Sequence, residues 1–223
     1  MSVVPSERVL VLGATGRTGK WVLYSALKEG YEVNCLVRNA KKIETIEGVK
    51  VFEGDVLNVD HVLKAMEGCS AMISVLNISR TWDFPWAKLR TPNTFLSEVM
   101  SKVAPLLEGN GTHRVVLCSA WGVLETKKDV PKWFQWLMDY SNIGVAYRDH
   151  ERQEHIVVRS SLDWTIVRSV GLTNSTKSQE IRVSSNNQPK PKMTIGRKAV
   201  GHFMVKSLKN RELIGRKVVI SSE

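Results

Sequence analysis

Three glycines at intervals of three follow directly after an apolar run. Residues 9–12 are Val-Leu-Val-Leu, and Gly13, Gly16 and Gly19 come next, with a helical pattern after them. Glycine lets a backbone approach a phosphate closely, and the N-terminal N–H groups of a following helix favour negative charge. This stretch therefore predicts a turn that binds the pyrophosphate of a dinucleotide. The candidate cofactor-binding residues of the turn are Gly13, Thr15, Gly16, Arg17, Thr18 and Gly19.

The spacing of these glycines leaves one alternative open. Thr15 stands where the G-x-G-x-x-G fingerprint has its second glycine. A P-loop is excluded, because Lys20 is followed by Trp21 rather than by serine or threonine. The alternative is an ordinary junction of strand, turn and helix that binds no ligand.

A basic residue follows the second predicted strand, residues 31–37. Sites for NAD have an acidic residue about 20 positions past the glycines, which binds the ribose 2′-hydroxyl. This chain has Arg38 there, followed by Lys41 and Lys42. A guanidinium binds a 2′-phosphate through charged hydrogen bonds, and Arg17 could contact the same phosphate from the glycine turn. The sequence therefore predicts NADP(H), the alternative being that Arg38 only ends a strand at the surface.

A hydroxyl and two aromatic segments are candidates for contacts with a substrate. Ser119 follows the strand predicted at 114–118, where it could hydrogen-bond a substrate carbonyl or simply its own backbone. Residues 78–92, with Trp82, form either a lid over a flat substrate or a loop packed on the domain. Residues 121–143 are predicted as a second aromatic loop.

The elements that position these residues alternate between strand and helix. The predicted strands are 9–12, 31–37, 49–56, 71–76, 114–118, 164–168 and 217–220. The first predicted helix follows the glycine turn and ends at Gly30, and the others are 60–66, 93–108, 145–159 and 199–208. This order predicts an α/β fold, a Rossmann-like doubly wound parallel sheet in a single domain, 1–223.

Ligands of such sheets bind beyond the carboxyl ends of the strands. This rule places four further candidates on the rim that carries the glycine turn, namely Asp55, Val56, Leu76 and Asn77. Val170 returns the chain to the same rim after the strand at 164–168. The C-terminal part, 170–223, is expected to border the substrate pocket, with a short strand at 181–183 inside an irregular stretch at 173–193.

Composition limits the other possibilities. The 223 residues are 43% hydrophobic, enough for one domain with a large core. The sequence has no apolar run of about 18 residues, so no membrane span is expected. Residues 1–6 lack the features of a secretory signal. Three cysteines lie far apart in the sequence, which favours reduced thiols in the cytoplasm and no metal site.

The net charge of +10 comes from basic residues scattered along the chain. No nucleic-acid-binding motif accompanies them, so nucleic acid is not expected as a partner. An anionic cofactor or substrate accounts for part of the excess positive charge.

With these residues in view, the chain resembles the atypical short-chain dehydrogenase/reductases of the NAD(P)H-binding, NmrA-like group. It is most similar to the flavin reductase/biliverdin-IXβ reductase branch. The matching segments occur in the family's order and are Gly-Ala-Thr-Gly-Arg-Thr-Gly (13–19), Leu-Val-Arg-Asn (36–39), Gly-Asp-Val (54–56), Cys-Ser-Ala-Trp (118–121), Leu-Asp-Trp-Thr-Ile-Val-Arg (162–168) and Gly-His-Phe-Met (201–204).

The resemblance implies a single Rossmann domain that binds NADPH. Residues 13–19 would hold the pyrophosphate and Arg38 the 2′-phosphate. Asp55 and Val56 would flank the adenine, while Leu76 and Asn77 would lie near the nicotinamide ribose. The resemblance further implies that Ser119 and Trp121 face the substrate and that His150 lies near its pocket, with Ser119 and His150 as the candidate catalytic residues.

This chain departs from its relatives at the proton-transfer pair Tyr-x-x-x-Lys. Tyr147 is followed at that spacing by Glu151, and Tyr140 by Gly144. A neighbouring carboxylate raises the pKa of a tyrosine instead of lowering it. The sequence also has Ser169-Val170 where relatives commonly carry proline, and Gly171 in place of a histidine of the reductase branch. Both changes leave the substrate open.

Two hypotheses follow for the function. The first is an NADPH-dependent reductase that transfers hydride to a flat conjugated small molecule such as a flavin, quinone or tetrapyrrole, with no metal. The second is a non-catalytic NADP(H) sensor that regulates a protein partner. An isomerase or epimerase fits less well, because the sequence has no evident proton-transfer pair.

Overall fold

The computed structural model describes residues 7–223, so the expectation about a signal at residues 1–6 lies outside the described residues. Its strands, in chain order, are β1 Arg8–Leu12, β2 Glu32–Val37, β3 Val49–Glu53, β4 Ala71–Ser74, β5 Arg114–Ala120, β6 Asp163–Ser169, β7 Gly171–Thr173, β8 Ile181–Ser184, β9 Thr194–Gly196 and β10 Arg216–Ser222. The helices are α1 Gly19–Lys28, α2 Val59–Met66, α3 Phe95–Gly109, α4 Lys132–Tyr140, α5 Ile143–Arg159 and α6 Arg197–Ser207.

Eight of the strands form one sheet in the order β3-β2-β1-β4-β5-β6-β10-β8. Every neighbouring pair is parallel except β10 and β8, which run antiparallel at one edge. The strand order reverses at β1, whose neighbours are β2 and β4. The prediction of a Rossmann-like doubly wound sheet in a single domain is confirmed, with an antiparallel edge strand added.

The sheet is covered on both faces. Val9 and Val11 lie in one apolar cluster, with side chains of α1 and α6, while Leu10 and Leu12 lie in another, with side chains of α2 and α3. Successive side chains of a strand point to opposite faces, so a strand buried on both sides is apolar without alternation. This is why residues 9–12 are apolar throughout.

The end of α1 follows from one glycine. Gly30 has a φ of +83°, and its N–H donates to the carbonyl of Leu27, while the N–H of Tyr31 donates to the carbonyl of Ala26. These two bonds form the Schellman motif that ends helices at a left-handed glycine. The chain thus turns directly into β2.

The prediction of a loop over residues 121–143 was wrong. Leu124–Asp129 forms a 3₁₀-helix, and α4 occupies Lys132–Tyr140. Within α4, Met138 is buried four residues after Phe134, which places both on one face of a helix. The many aromatic side chains concealed this spacing. By contrast, residues 78–92 are irregular, apart from a bridge between Arg80 and Leu89.

The C-terminal part contains the short strand predicted at 181–183, observed as β8, and two strands that were not predicted, β7 and β9. Each of these two has three residues, too few to display a period of two along the sequence. No helix within residues 7–223 has the length and apolar character needed to cross a bilayer.

Candidate functional site

The glycine turn is packed too tightly for side chains at two of its positions. The N–H of Gly16 donates to the carbonyl of Gly13 at 3.0 Å. A Cβ on Gly13 would lie 3.1 Å from the backbone of Val75, and Gly13 has a φ of +88°. A Cβ on Gly19 would lie 2.0 Å from the carbonyl oxygen of Gly13. The backbone at the start of α1 therefore lies close against the end of β1.

The N-terminus of α1 is suited to an anion. Thr18, at the N-cap position, makes no side-chain hydrogen bond to the helix, and the first turn has no acidic residue. The N–H groups of a first helical turn have no partner within the helix, and they attract negative charge. The N–H groups of Lys20 and Trp21 donate to the carbonyls of Gly16 and Thr18, so any anion would be bound by the N–H groups that precede them. The close packing of the turn and the absence of an acidic residue in this first turn fit the pyrophosphate of a dinucleotide.

Adjacent strands bring the other cofactor candidates to the same rim. Arg38 follows β2, Asp55 and Val56 follow β3, and Leu76 and Asn77 follow β4. All these strands are parallel to β1, so their carboxyl ends share one edge. The side chain of Arg38 is exposed and forms no hydrogen bond or ion pair with the described residues. Its guanidinium is available for a phosphate.

Arg17 has a protein partner, Asp83, within the segment 78–92. Its Nη1 and Nη2 donate to the two carboxylate oxygens of Asp83, both at 2.7 Å. This hydrogen bonding to Arg17 lowers the pKa of Asp83. The pair joins the loop after β1 to the loop after β4, across the point where the strand order reverses. In this geometry Arg17 is engaged by a carboxylate, whereas Arg38 has no such partner among the described residues.

Ser119 belongs to a buried polar network. Its hydroxyl donates to Oε1 of Glu154 at 2.6 Å. The same carboxylate accepts hydrogen bonds from Nε and Nη2 of Arg168 at 3.0 and 2.7 Å. Glu154 is 0% and Arg168 1% exposed. The single hydroxyl proton of Ser119 is thus already donated, and the sequence analysis missed both charged partners.

His150 is buried beside the same network. Burial lowers the pKa of His150 to about 4, against the opposing influence of Glu154 and Asp149. The side-chain nitrogen of Gln153 lies 2.6 Å from Nδ1, an arrangement in which the amide donates and the imidazole keeps its proton on Nε2. At neutral pH His150 is therefore uncharged and acts as a hydrogen-bonding group.

This burial predicts a pH-dependent stability. As pH falls from 6.5 towards 4, the unfolded-state imidazole takes up a proton that the folded state does not. The stability contributed by a neutral His150 is then lost in that range. We expect the difference in free energy of unfolding between wild type and His150→Gln to fall as pH is lowered, measured by urea denaturation. The matched control is His155→Gln, exposed on the same helix. A constant difference for His150→Gln would contradict the prediction.

The three substrate-binding candidates are not all brought together. Trp121 and Val170 are buried in one apolar cluster, whereas Trp82 is 76% exposed on the segment 78–92. The indole Nε1 of Trp121 is buried and has no hydrogen-bond partner among the described residues. A buried donor of this kind is rare and suits a ligand acceptor atom.

The two aromatic segments contact each other at the surface. The rings of Trp86 and Trp136 have centroids 6.0 Å apart, and Nε1 of Trp86 donates to the carbonyl of Tyr140 at 2.8 Å. Asn142 donates to the carbonyl of Trp86 at 3.2 Å. We call the exposed aromatic side chains of these two segments the aromatic band; they are Trp82, Phe84, Trp86, Trp133, Trp136 and Tyr140.

Gly19→Ala is expected to lower stability by about 1–3 kcal/mol, the usual cost of forced overpacking. The new methyl group would overlap the carbonyl of Gly13 and displace the turn, so dinucleotide binding should weaken as well. Urea denaturation and calorimetric titration with NADP⁺ measure the two effects. Gly109→Ala, at the end of α3 with no atom within 4 Å, is the control and should leave both nearly unchanged. Unaltered binding by Gly19→Ala would refute the assignment of the turn.

The chain is similar to known proteins that bind NAD(P)H. A family model described as NAD(P)H-binding matches residues 13–211, from the first glycine of the turn to the last 3₁₀-helix. The predicted nicotinamide dinucleotide cofactor is thereby confirmed at the level of the family. A photosystem II assembly factor, Ycf39 of Cyanophora paradoxa, is 42% identical over 67 residues, which are 29% of this chain and 21% of that protein. The match thus spans a small part of that relative's length.

Two solved structures share the fold over nearly the whole chain. A short-chain dehydrogenase/reductase from Veillonella parvula in complex with NADP has 16% identity and a TM-score of 0.79, covering 97% of this chain and 94% of that one. ChuY, an anaerobilin reductase from Escherichia coli O157:H7, has 19% identity and a TM-score of 0.79, with 96% and 97% covered. At these identities the likeness establishes the fold.

Proposed function

The chain belongs to the NAD(P)H-binding family, and from that premise we propose that it is an NADPH-dependent reductase that transfers hydride to a flat, conjugated acceptor. NADPH, when bound, supplies the hydride. Residues 13–19 would hold its pyrophosphate, and Arg38 would select the 2′-phosphate over the ribose hydroxyl of NADH. The flavin reductase/biliverdin-IXβ reductase branch is the finer placement that we infer for the chain.

The observation that carries the proposal is the state of the candidate proton donors. Ser119 donates its proton to Glu154, His150 is neutral with a lowered pKa, and burial raises the pKa of Tyr147. A site with these groups suits an acceptor that delocalises the incoming charge and takes its proton from solvent. Flavins, quinones and tetrapyrroles have this property, whereas simple ketones need a poised acid.

The remaining candidates would position the acceptor. Trp121 offers a buried indole donor and Val170 an apolar wall next to it. Trp82 and the rest of the aromatic band provide exposed rings on which a flat molecule can stack. Catalysis would then consist mainly of holding the acceptor within reach of the hydride. The likeness to an anaerobilin reductase supports an acceptor of this class. We also place the protein in the cytoplasm, which its three free cysteines support.

A second candidate is a non-catalytic NADP(H) sensor that binds a protein partner. The aromatic band favours it, since exposed aromatic surfaces often mark interaction sites. The similarity to photosystem II assembly factors points in the same direction.

Turnover separates the two candidates. We expect NADPH oxidation, followed by absorbance, with at least one of FMN, riboflavin, menadione and biliverdin. Titration of the same protein with NADP⁺ by calorimetry reports binding independently. Tight binding of NADP⁺ without oxidation of NADPH by any acceptor would refute the reductase and support the sensor.

A further inference from the structure

Three side chains in the segments that follow β4 and β5 have donors that no described residue accepts. Nε of Arg80 and Nε1 of Trp121 are buried without a hydrogen-bond partner. The ring of Tyr147 is largely buried, and its hydroxyl forms no hydrogen bond with the described residues. Unpartnered buried donors cost free energy, so those of Arg80 and Trp121 need an explanation.

The fold brings the segments that carry these three residues together. Arg80 follows β4, and Trp121 follows β5, its parallel neighbour. Tyr147 lies near the start of α5. Ile78 and Ala146 belong to one small apolar cluster with Leu96, which joins the segment of Arg80 to that helix. A Cβ on Gly122 would lie 3.0 Å from Cε1 of Tyr147, which places the turn after Trp121 against the same ring.

The charge around Asp83, three residues after Arg80, is mainly positive. Arg17, Arg197 and Arg80 all act to lower the pKa of Asp83, Arg17 most strongly through its hydrogen bonds. That carboxylate is engaged by Arg17, while Arg197 donates to the neutral Asn174 at 2.7 Å. No carboxylate within residues 7–223 forms an ion pair with Arg80 or Arg197. One carboxylate thus faces three guanidinium groups.

We propose that Arg80, Tyr147 and Trp121 form a subsite for an anionic group, a carboxylate or phosphate, carried by the acceptor. The guanidinium supplies charge and hydrogen bonds, and the phenol and indole supply two neutral donors. The inference rests on the proposed reductase function and narrows its substrates to acidic conjugated molecules. None of the three residues takes part in hydride transfer. Their role is to bind the anionic group and so to position the acceptor.

Two pairs of probe molecules measure how much an anionic group contributes to binding. FMN and riboflavin share one ring system and differ by a phosphate, and biliverdin and its dimethyl ester differ by their carboxylates. Binding to the NADP⁺-loaded protein is followed by fluorescence quenching, so that the cofactor phosphate sites are already filled. We expect the acidic member of at least one pair to bind about 10-fold or more tightly than its neutral counterpart, as charged hydrogen bonds allow.

Variants test whether Arg80 causes the tighter binding of the acidic probe. Arg80→Met should abolish it while leaving affinity for the neutral member within about twofold, and Arg80→Lys should retain part of it. Tyr147→Phe should weaken the acidic member by about 3- to 10-fold. Arg90→Met, an exposed arginine on the same segment, is the control. Equal affinity for both members of each pair in the wild type, including no binding of either, overturns the subsite without any variant.

The same measurements can refute the subsite and the reductase function independently of each other. Turnover of both members of a pair at equal affinity refutes the subsite and leaves the reductase intact. Preferential binding of the acidic member that Arg80→Met abolishes, without turnover, supports the subsite and refutes the reductase. Equal losses of both members in Arg80→Met assign a structural role to Arg80 and also overturn the inference.

Discussion

Arg38→Ala is expected to weaken NADPH binding by about 10- to 100-fold and to change NADH binding by less than about twofold. A hydrogen bond to a charged group contributes about 1.5–3 kcal/mol, and each 1.4 kcal/mol corresponds to about one factor of ten. The guanidinium stands free at the end of β2, so its removal leaves no buried partner uncompensated. Calorimetric titration with both dinucleotides measures the effect.

The matched control for Arg38 is Arg159→Ala. Arg159 is another exposed arginine, at the end of α5. It lies just before the amino end of β6, and so at the other end of the parallel strands from Arg38. The control removes the same charge from the molecule without touching the rim, so it corrects for long-range electrostatics. If Arg38→Ala weakened NADPH and NADH equally, the assignment of Arg38 to the 2′-phosphate would fail.

Glu154→Ala is expected to lower the free energy of unfolding by about 3–5 kcal/mol, the cost of breaking a buried ion pair by removing one partner. The carboxylate holds Arg168 through two hydrogen bonds and also accepts from Ser119. Of its ion-pair partners within residues 7–223, the buried guanidinium then keeps Glu125, whose side chain is 59% exposed. Urea denaturation followed by tryptophan fluorescence measures the change.

An exposed ion pair provides the comparison for Glu154. Glu223 pairs with Arg182, and its side chain is 50% exposed, so Glu223→Ala should lower stability far less than Glu154→Ala does. Replacing both buried partners, as Glu154→Leu with Arg168→Met, should recover much of the stability lost in Glu154→Ala, because no charge is then left buried. A loss below about 1 kcal/mol in Glu154→Ala would refute the structural role of the network.

Local patterns predicted most of the fold. The apolar residues 9–12 and the glycines at 13, 16 and 19 indicated β1, the turn and α1, because burial on both faces and a close backbone approach each demand particular residue types. The position of Arg38 was equally readable, since it follows its strand directly. Residues 121–143 were misread, because the large aromatic side chains of α4 obscured the spacing of Phe134 and Met138.

The partners of the site residues could not be predicted in this way. Arg17 meets Asp83 at a separation of 66 residues, and Ser119 meets Glu154 at a separation of 35. No local period encodes such pairs. They exist only after the sheet has brought distant loops and helices together, and the same packing decides which donors, such as those of Arg80 and Trp121, are left without an acceptor.

The sequence by itself thus determined the alternation of the main strands and helices, the glycine turn and the arginine after β2, because backbone geometry imposes short periods that a chain records directly. Only the tertiary structure decided which charged groups are buried, which are paired and which remain free for a ligand. The physical reason is that desolvation and hydrogen-bond geometry depend on neighbours in space, and those neighbours are set by the packing of elements far apart along the chain.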